Sequence, residues 1–205
     1  MQQRIIEQLA SVGLAQSAAT AAALAEFLGL LSKWNRVHNL TAMTDPEEMI
    51  RRHLVESLAL GSLLKGARVA DVGSGAGLPG IPLAITEPQR RFTLIESRGK
   101  RAAFLRHVRG VLGLENVVVE QTRVENLPGI PPFDTVLARA VAPLPALVKL
   151  TGHLLVGDTV LLALTGERLA GDTATFPGGY TARRVAGPMA GLFAGALFIV
   201  DRQED

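Results

Sequence analysis

The sequence predicts an α/β fold with a mostly parallel sheet, an antiparallel C-terminal edge and an N-terminal helical extension. Apolar residues recur at helical spacing through the first third of the chain. From residue 67 onward, short apolar runs alternate with helical stretches, which is typical of right-handed βαβ units. In the tail, residues 180–186 and 196–201 resemble two strands separated by a Gly/Pro-rich loop without a helix. This pattern indicates an antiparallel pair at one edge of the sheet.

The helical extension is predicted over residues 1–64, packed on the core. One of its helices carries an apolar stripe, formed by Leu24, Phe27, Leu28, Leu31 and Trp34. Core packing is therefore the expected role of Trp34, with stacking on an RNA base as the alternative. A second helix begins at Asp45, which can cap it, and Pro46 suits the first helical position.

Residues 65–205 are predicted to form one globular domain. Its strands are expected at residues 67–72, 92–96, 117–120, 134–138 and 158–164. Its helices are expected at residues 79–85, 98–112 and 143–155. On the helix at 98–112, an apolar face of Phe104, Val108 and Val111 opposes a basic face that includes Arg98 and Arg106.

The composition narrows the class of protein. The chain has 205 residues, 48% of them hydrophobic, so it can form a packed globule without disulfides. It has no cysteine, and its four histidines lack ligand spacing, so we expect no metal site and a cytoplasmic location. No apolar stretch is long and uncharged enough for a membrane span. We also expect a monomer.

Charge is concentrated in one segment, although the net charge is only +2. Between residues 90 and 109 the one acid is Glu96, and the bases are Arg90, Arg91, Arg98, Lys100, Arg101, Arg106 and Arg109. The cluster is either a surface that faces phosphates or an ordinary solvated helix face.

The strongest motif is the glycine-rich turn A-D-V-G-S-G-A-G-L-P-G at residues 70–80, which joins a strand to a helix. In an open α/β sheet, such a turn lies where ligands bind. The spacing of Gly73, Gly75 and Gly77 departs from the dinucleotide fingerprint, which would need glycine in place of Leu78. The preceding acid, Asp71, would repel a pyrophosphate but favour the amino group and sulfonium of S-adenosylmethionine.

Glu96 supports the same cofactor. It ends the second strand, where a carboxylate can accept hydrogen bonds from both ribose hydroxyls. Together with Asp71 and the glycine turn, it predicts a Rossmann-like class I methyltransferase fold. There are alternatives for each residue: Asp71 could be a carboxylate that only stabilises the turn, and Glu96 could be a carboxylate at a helix N-terminus. A nicotinamide-binding domain is the alternative for the domain as a whole.

The residues resemble the RsmG (GidB) family of bacterial 16S ribosomal RNA guanine-N7 methyltransferases. The similarity runs from about residue 33 to residue 166. The matching segments are Lys33–Ala42 (K-W-N-R-V-H-N-L-T-A), His53–Leu58 (H-L-V-E-S-L), Asp71–Ala84, Leu94–Arg101, Arg123–Glu125 (R-V-E) and Phe133–Ala140 (F-D-T-V-L-A-R-A). The W-N…N-L-T block and G-L-P-G-I-P are the segments specific to the family.

The resemblance implies S-adenosylmethionine as cofactor and 16S ribosomal RNA or the small ribosomal subunit as partner. Gly73 and Leu78 would touch the methionine end of the cofactor, Glu96 would hold the ribose, and Val124 and Glu125 would flank the adenine. The candidate RNA-binding residues are Lys33, Asn35, Arg36, Asn39, Arg98, Lys100, Arg101, Arg106 and Arg123. For Asn35 and Asn39, closure of the helix C-terminus is the alternative.

Arg139 is the candidate catalytic residue and is also counted with the cofactor-binding residues. It ends the fourth strand within V-L-A-R-A-V-A-P, where an unpaired buried guanidinium would be costly. The resemblance implies that it points into the site. His53 is expected instead to be a surface or internally satisfied histidine.

The chain departs from the family at four positions. Glu56 and Glu96 stand where members often have Asp, which keeps the charge. Thr165 stands where many have a lysine, and Asp201 precedes Arg202 where a basic residue is common. The last two departures follow the fifth strand and the last strand, and they concern the RNA contacts expected at that edge of the site.

The residues also limit the chemistry. Without cysteine, the covalent route to C5 of pyrimidines is excluded. No K…D…K…E tetrad for 2′-hydroxyls and no N-P-P-Y-type segment for exocyclic amines is present. A ring nitrogen suits what remains, and the resemblance specifies guanine N7. A small-molecule methyltransferase and a non-enzymatic RNA-binding factor are the alternatives from other classes.

Overall fold

The computed structural model describes residues 1–127, 132–166 and 171–202. Its strands form one eight-stranded sheet in the order β3-β2-β1-β4-β5-β8-β7-β6. The strands are β1 (Arg68–Val72), β2 (Arg91–Ile95), β3 (Val117–Glu120), β4 (Thr135–Arg139), β5 (Val160–Thr165), β6 (Thr173–Phe176), β7 (Tyr180–Arg184) and β8 (Ala196–Arg202). The five strands from β1 to β5 are parallel, which confirms the predicted fold class.

The α-helices lie between these strands and before them. They are α1 (Gln2–Ser11), α2 (Ala18–His38), α3 (Pro46–Met49), α4 (Glu56–Ala59), α5 (Gly80–Thr86), α6 (Gly99–Leu112) and α7 (Leu144–Thr151). A π-helical segment, Ile50–Val55, joins α3 to α4. No helix among the described residues is long and apolar enough to cross a membrane.

The order of the parallel strands creates the position for a ligand. β1 pairs with β2 on one side and with β4 on the other. The crossovers after β1 and β4 therefore leave in opposite directions along the sheet, and a crevice opens between them at the carboxyl edge. The segments that follow Val72, Ile95 and Arg139 all reach this edge.

The C-terminal edge differs from the prediction of two strands. β7 and β8 are antiparallel, as expected, but β8 lies inside the sheet against β5, and β6 forms the outer edge. β6 was not predicted because its T-A-T-F residues alternate between exposed and half-buried, so they form no apolar run. A short 3₁₀ helix, Pro188–Leu192, also lies between β7 and β8, where none was expected.

The N-terminal helices share a core with the sheet. The predicted stripe on α2 is buried, from Leu24 through Leu31, and belongs to the same apolar cluster as Phe92 and Phe104. Trp34 is half-buried, and its ring lies 5.5 Å from that of Phe104 and 5.4 Å from that of His107. Trp34 therefore joins α2 to α6, in agreement with the packing role expected for it.

Two finer expectations had different outcomes. Asp45 caps α3 by accepting a hydrogen bond from the Glu48 N–H, and Pro46 is the first helical residue, as predicted. The predicted apolar face of α6 was wrong at one residue, Val111, which is 45% exposed. The buried face of the helix is centred nearer Leu105, which leaves Val111 at its margin.

Candidate active site

The glycine turn after β1 is held against the end of β2. The N–H groups of Gly73 and Ser74 both donate to the Ile95 carbonyl, at 2.9 and 3.1 Å. Gly73 has a φ of 67°, and a Cβ placed on it would lie 2.9 Å from Val141 Cγ2. Both the conformation and the close approach require glycine at this position. The turn therefore brings bare backbone to the centre of the crevice.

The Glu96 carboxylate joins the glycine turn to the segment after β2. Its Oε2 accepts a hydrogen bond from the Gly75 N–H at 3.0 Å, and its Oε1 accepts one from the Arg98 N–H at 2.8 Å. The side chain is buried, yet it lines the crevice. Glu96 thus binds the backbone at the N-cap of α6, which is the alternative considered for it, and its carboxylate still has lone pairs available for a ligand.

Two adjoining cavities occupy the crevice, and Gly73, Glu96, Ser97 and Val141 line both of them. The smaller cavity, of about 220 Å³, is lined by residues that follow β3, among them Arg123, Val124 and Glu125. The larger cavity, of about 480 Å³, extends toward the N-terminal extension; its walls include Leu40, Thr41, His53, Leu78, Arg101 and Arg139. The crevice therefore suits an elongated ligand that bends past Gly73 and Glu96.

This shape fits S-adenosylmethionine. The carboxylate of Glu96 lies at the junction, where the ribose hydroxyls would be, and the apolar Val124 lies on the wall of the smaller cavity. The bare turn at Gly73 leaves room for the atoms between ribose and methionine. In the described chain, no group of three or more His, Cys, Asp or Glu residues could hold a metal ion.

Asp71 and Gly77 lie behind the described cavity walls. Asp71 Oδ2 accepts a hydrogen bond from the Gly80 N–H at 3.1 Å, and its Oδ1 has no partner in the described chain. Burial raises the pKa of Asp71 to about 7, against the opposing effect of the Gly80 N–H. A Cβ on Gly77 would lie 2.6 Å from Ile81 Cγ1, so this glycine permits close packing of α5. Both residues shape the turn from beneath.

Arg139 reaches the larger cavity from the end of β4. The next residue, Ala140, has a φ of 52°, a left-handed conformation that is unusual for alanine. Arg139 Nη1 donates to the Arg52 carbonyl at 2.9 Å and lies 3.9 Å from Glu56 Oε2. Burial lowers the pKa of Arg139, and the Glu56 carboxylate opposes that shift. The expected position of Arg139 in the crevice is thus observed.

His53 was not predicted as a site residue, but it lines the larger cavity. Its side chain is buried, and Nε2 lies 3.2 Å from the Thr41 hydroxyl oxygen. Burial and the nearby Arg139 lower the pKa of His53 to about 4, so the ring is neutral at physiological pH. The available signal was its position in the H-L-V-E-S-L segment, which the family resemblance includes.

The candidate RNA-binding residues divide into two groups. Arg98 and Arg101 line the larger cavity, and Arg123 lines the smaller one. Farther out, the exposed residues are Lys33 and Arg36 on α2, Lys100 and Arg106 on α6, and Asn39 at the end of α2. Arg106 Nη1 also donates to Gln121 Oε1 at 3.0 Å. Three of the predicted basic residues therefore line the crevice, and the other four are exposed on α2 and α6.

Asn35 and Asn39 close the C-terminus of α2, which is the alternative role that the sequence analysis gave them. Asn39 adopts a left-handed φ of 49° as the C-cap, and its N–H donates to the Asn35 carbonyl. Asn35 Oδ1 accepts a hydrogen bond from the Thr41 N–H at 2.9 Å. These contacts direct Leu40 and Thr41 into the wall of the larger cavity.

Comparison with known proteins identifies the family. The family model described as rRNA small subunit methyltransferase G (GidB) matches residues 20–186. A protein of that name from Nitrosospira multiformis is 48% identical over 151 residues, which are 74% of this chain and 70% of the relative. One from Stenotrophomonas maltophilia is 45% identical over 177 residues, 86% of this chain and 82% of the relative. The chain belongs to the GidB family.

Solved structures agree with a class I methyltransferase fold. A mutant of MtNAS in complex with S-adenosylmethionine superposes with a TM-score of 0.58 at 18% identity, over 92% of this chain and 79% of that chain. The O-methyltransferase TomG from Streptomyces achromogenes, also in complex with SAM, has a TM-score of 0.55 at 16% identity, over 87% and 90%. Membership of the GidB family confirms the predicted methyltransferase class and its cofactor, S-adenosylmethionine.

The departures from the GidB pattern lie at identifiable places. Thr165 ends β5 and follows Leu164, which is the register partner of Arg139. The lysine that many members of the family have at this position would therefore lie close to Arg139, and here a threonine replaces it. Asp201 forms an ion pair with Arg183 on the neighbouring β7. Glu56 and Glu96 are both buried in contact with the crevice residues.

We expect Glu96→Ala to weaken S-adenosylmethionine binding by about 1–3 kcal/mol, because ligand hydroxyls and two backbone N–H groups would lose their acceptor. Calorimetric titration of the folded variant measures the change. Glu115→Ala, at an exposed acid beyond α6, is the control and should bind normally. Equal affinity for Glu96→Ala and the wild type would contradict a ribose contact.

We expect Asp71 to make a contribution to the stability of the ligand-free protein that falls as the pH rises from 4 to 7, because Asp71 binds its proton more tightly in the folded chain than in the unfolded one. The lowered pKa of His53 acts in the opposite direction over the same range, so the Asp71 contribution is the difference between the wild type and an Asp71 variant. This contribution is complete below pH 4 and is lost as the pH rises through 7, by at most about 4 kcal/mol. Asp71→Asn, which stays neutral, should remove this part of the slope. Denaturant unfolding of both proteins at several pH values measures it, and parallel curves would contradict the raised pKa.

Proposed function

We propose that this protein transfers a methyl group from S-adenosylmethionine to N7 of a guanine in 16S ribosomal RNA. The observation that carries the proposal is the pair of adjoining cavities at the carboxyl edge, with Glu96 lining both and Arg139 lining the larger one. The relatives named rRNA small subunit methyltransferase G support an RNA substrate. The N7 position rests on the family resemblance and on the chemistry of the site.

The cofactor would occupy the crevice in one orientation. Its adenine would lie in the smaller cavity beside Val124 and Glu125, with the ribose at Glu96. Its methionine would pass Gly73 into the larger cavity near Leu78. The sulfonium supplies an already activated methyl group, so the protein mainly has to position the two reactants.

The guanine would enter the part of the larger cavity bounded by Thr41, His53 and Arg139. N7 carries a lone pair and no proton at neutral pH, so its attack on the methyl carbon needs no general base. The arrangement agrees with this: His53 is already bound to Thr41, and the Glu96 oxygens accept two backbone N–H groups. Displacement leaves a cationic N7-methylguanine and neutral S-adenosylhomocysteine.

The ribosomal RNA would cover the mouth of the crevice. Arg98, Arg101 and Arg123 lie on the walls of the crevice, and further exposed basic residues on α2 and α6 are Lys33, Arg36, Lys100 and Arg106. These cations would contact phosphates and hold the strand while one guanine enters. We infer that the enzyme acts in the cytoplasm as a monomer, without a metal, on free RNA or on the small subunit.

We expect incubation of 16S RNA or small subunits with the protein and labelled S-adenosylmethionine to place label on one guanine N7. A cationic N7-methylguanine ring opens after reduction, and aniline then cleaves the strand at that nucleotide. Treated RNA should break at one guanine, and untreated RNA should not. Label on a 2′-oxygen or an exocyclic amine, or methylation of small molecules alone, would contradict the proposal.

We expect Arg98→Ala to lower the slope of log affinity for RNA against log salt by roughly 0.7–0.9, because the variant makes one phosphate contact fewer and so releases fewer counterions when it binds. Binding is measured at several salt concentrations. Arg91→Ala is the matched control, since Arg91 is an exposed arginine at the beginning of β2, on the opposite edge of the sheet. Equal slopes for the wild type and Arg98→Ala would mean that α6 is not part of the RNA interface.

A further inference from the structure

Three aromatic rings of decreasing burial lie between α2 and α6. Phe104 on α6 is buried, the indole of Trp34 on α2 is half-buried, and the imidazole of His107, one turn after Phe104, is exposed. The centroid of the Trp34 ring lies 5.5 Å from that of Phe104, 5.4 Å from that of His107 and 5.2 Å from that of the half-buried His38. These separations fall within the range typical of packed aromatic pairs, about 4.5–7 Å. The series Phe104, Trp34 and His107, here named the aromatic ledge, thus runs from the core to the surface.

The aromatic ledge lies on the same pair of helices that borders the larger cavity. At one end of this pair, Leu40 after α2 and Arg101 on α6 line that cavity together. At the other end, Ala23 of α2 and Leu112 of α6 line a separate groove, so the two helices run in opposite directions. His107 lies six residues beyond Arg101, which is about 9 Å along α6 at 1.5 Å per residue. The ledge is therefore next to the larger cavity but outside its described walls.

The surface around the aromatic ledge carries charge of one sign. Residues 27–43, which include the second half of α2, contain no acid, and neither do residues 97–114, which include all of α6. The basic residues of these two segments are Lys33, Arg36, Arg98, Lys100, Arg101, Arg106 and Arg109. All of them except Arg101 are exposed. This charge suits a polyanion, and it disfavours a second copy of the same surface.

An exposed ring among cations has the properties of a stacking site for single-stranded RNA. Sites of this kind combine a positive surface that follows the phosphates with aromatic side chains on which bases stack, and they tolerate any sequence because every base has a π-face. In the aromatic ledge, the outer ring of His107 is backed by Trp34, which is itself packed on Phe104. A ring that is already held in place loses little freedom when a ligand stacks on it. The ledge is thus prepared for a flat, neutral group that belongs to a polyanion.

We propose that the aromatic ledge is a stacking site for an unpaired RNA base, which lies on the His107 ring and continues the series from Phe104 through Trp34. The inference rests on the proposed function, because the base belongs to the same RNA whose guanine enters the larger cavity. The arginines of α6 position the strand through its phosphates, and the ledge adds a contact to one base. The ledge therefore holds a nucleotide near the target without touching the reacting atoms.

The test is the binding of labelled single-stranded oligouridylate, and of an abasic strand of equal length, to the full chain. His107→Ala should weaken the binding of oligouridylate about fivefold or more, because one stacked base loses its ring. It should leave the affinity for the abasic strand unchanged. The slope of log affinity against log salt should also stay unchanged, because no phosphate contact is lost. Val111→Ala, which shortens an exposed aliphatic side chain one turn later on α6, is the matched control and should change neither affinity.

Two further substitutions separate a stacking ring from a charge. His107→Phe keeps a ring without a charge and should retain the affinity for oligouridylate, whereas His107→Lys keeps a cation without a ring and should lose it. Trp34 is the one tryptophan of the chain and gives a direct optical signal. Its emission should be quenched by oligouridylate and much less by the abasic strand. Rescue by lysine and not by phenylalanine, or equal losses for both strands, would overturn the proposal.

Kinetics with 16S RNA or small subunits test the same contact during turnover. His107→Ala should raise KM for RNA and leave kcat unchanged, because the stacked base is held equally in the ground state and the transition state. A lower kcat with unchanged KM would contradict the proposal.

The remaining outcomes distinguish the aromatic ledge from other partners and from the proposed function. If His107→Ala weakens binding to small subunits but to neither oligonucleotide, the ledge contacts a protein and the proposal is wrong. If the product is methylated elsewhere than N7 while the oligouridylate results hold, only the proposed function fails. If the product is N7-methylguanine and His107→Ala binds oligouridylate like the wild type, only the ledge fails.

Discussion

The carboxylate of Glu96 holds together the two segments that form the crevice. Parallel strands deliver their following segments to one edge, but the strands alone do not fix the distance between the turn after β1 and the helix after β2. Glu96 fixes it by accepting one hydrogen bond from Gly75 and one from Arg98. The junction of the two cavities, and thus the bend of any ligand within them, depends on this bridge. The ribose contact proposed for Glu96 would use lone pairs that these two hydrogen bonds leave available.

Compensation of buried charge organises the other half of the site. Isolated buried ions are costly, and removing one partner of a buried pair leaves the other uncompensated. The buried Glu56 carboxylate is compensated by two cations, Arg139 and the more exposed Arg52. Asp71, beneath the turn, forms no ion pair among the described residues, and burial raises the pKa of its carboxyl to about 7 although the Gly80 N–H and the charge of Arg139 oppose the shift. The crevice therefore has its compensated cation on the wall of the larger cavity and its protonatable acid behind the glycine turn.

Sequence reasoning predicted what depends on local pattern. Strands β1 to β5, the glycine turn and Glu96 follow from apolar runs, glycine spacing and the position of an acid at a strand end. The edge strand β6 escaped because half-exposed residues give no such run. The π-helical segment and the burial of His53 also escaped. No local residue pattern marks a wide helical turn, and His53 lines a cavity together with residues far away in sequence, among them Arg139. The assignment of Asn35 and Asn39 to RNA, made from the resemblance, competes with the backbone hydrogen bonds that they make.

The N-terminal extension is more than a support for the sheet. Leu40, Thr41 and His53 come from it and form one wall of the larger cavity, whereas the glycine turn and Glu96 form the wall shared with the smaller cavity. In the proposed arrangement, the cofactor and the substrate would therefore be bound by different parts of the chain, and Arg139 lies on the wall of the larger cavity with the residues from the extension. The Arg52 carbonyl, which also comes from the extension, accepts a hydrogen bond from Arg139. Under the proposed function, the extension would therefore take part in selecting the base, while Glu96 and the glycine turn would bind the cofactor.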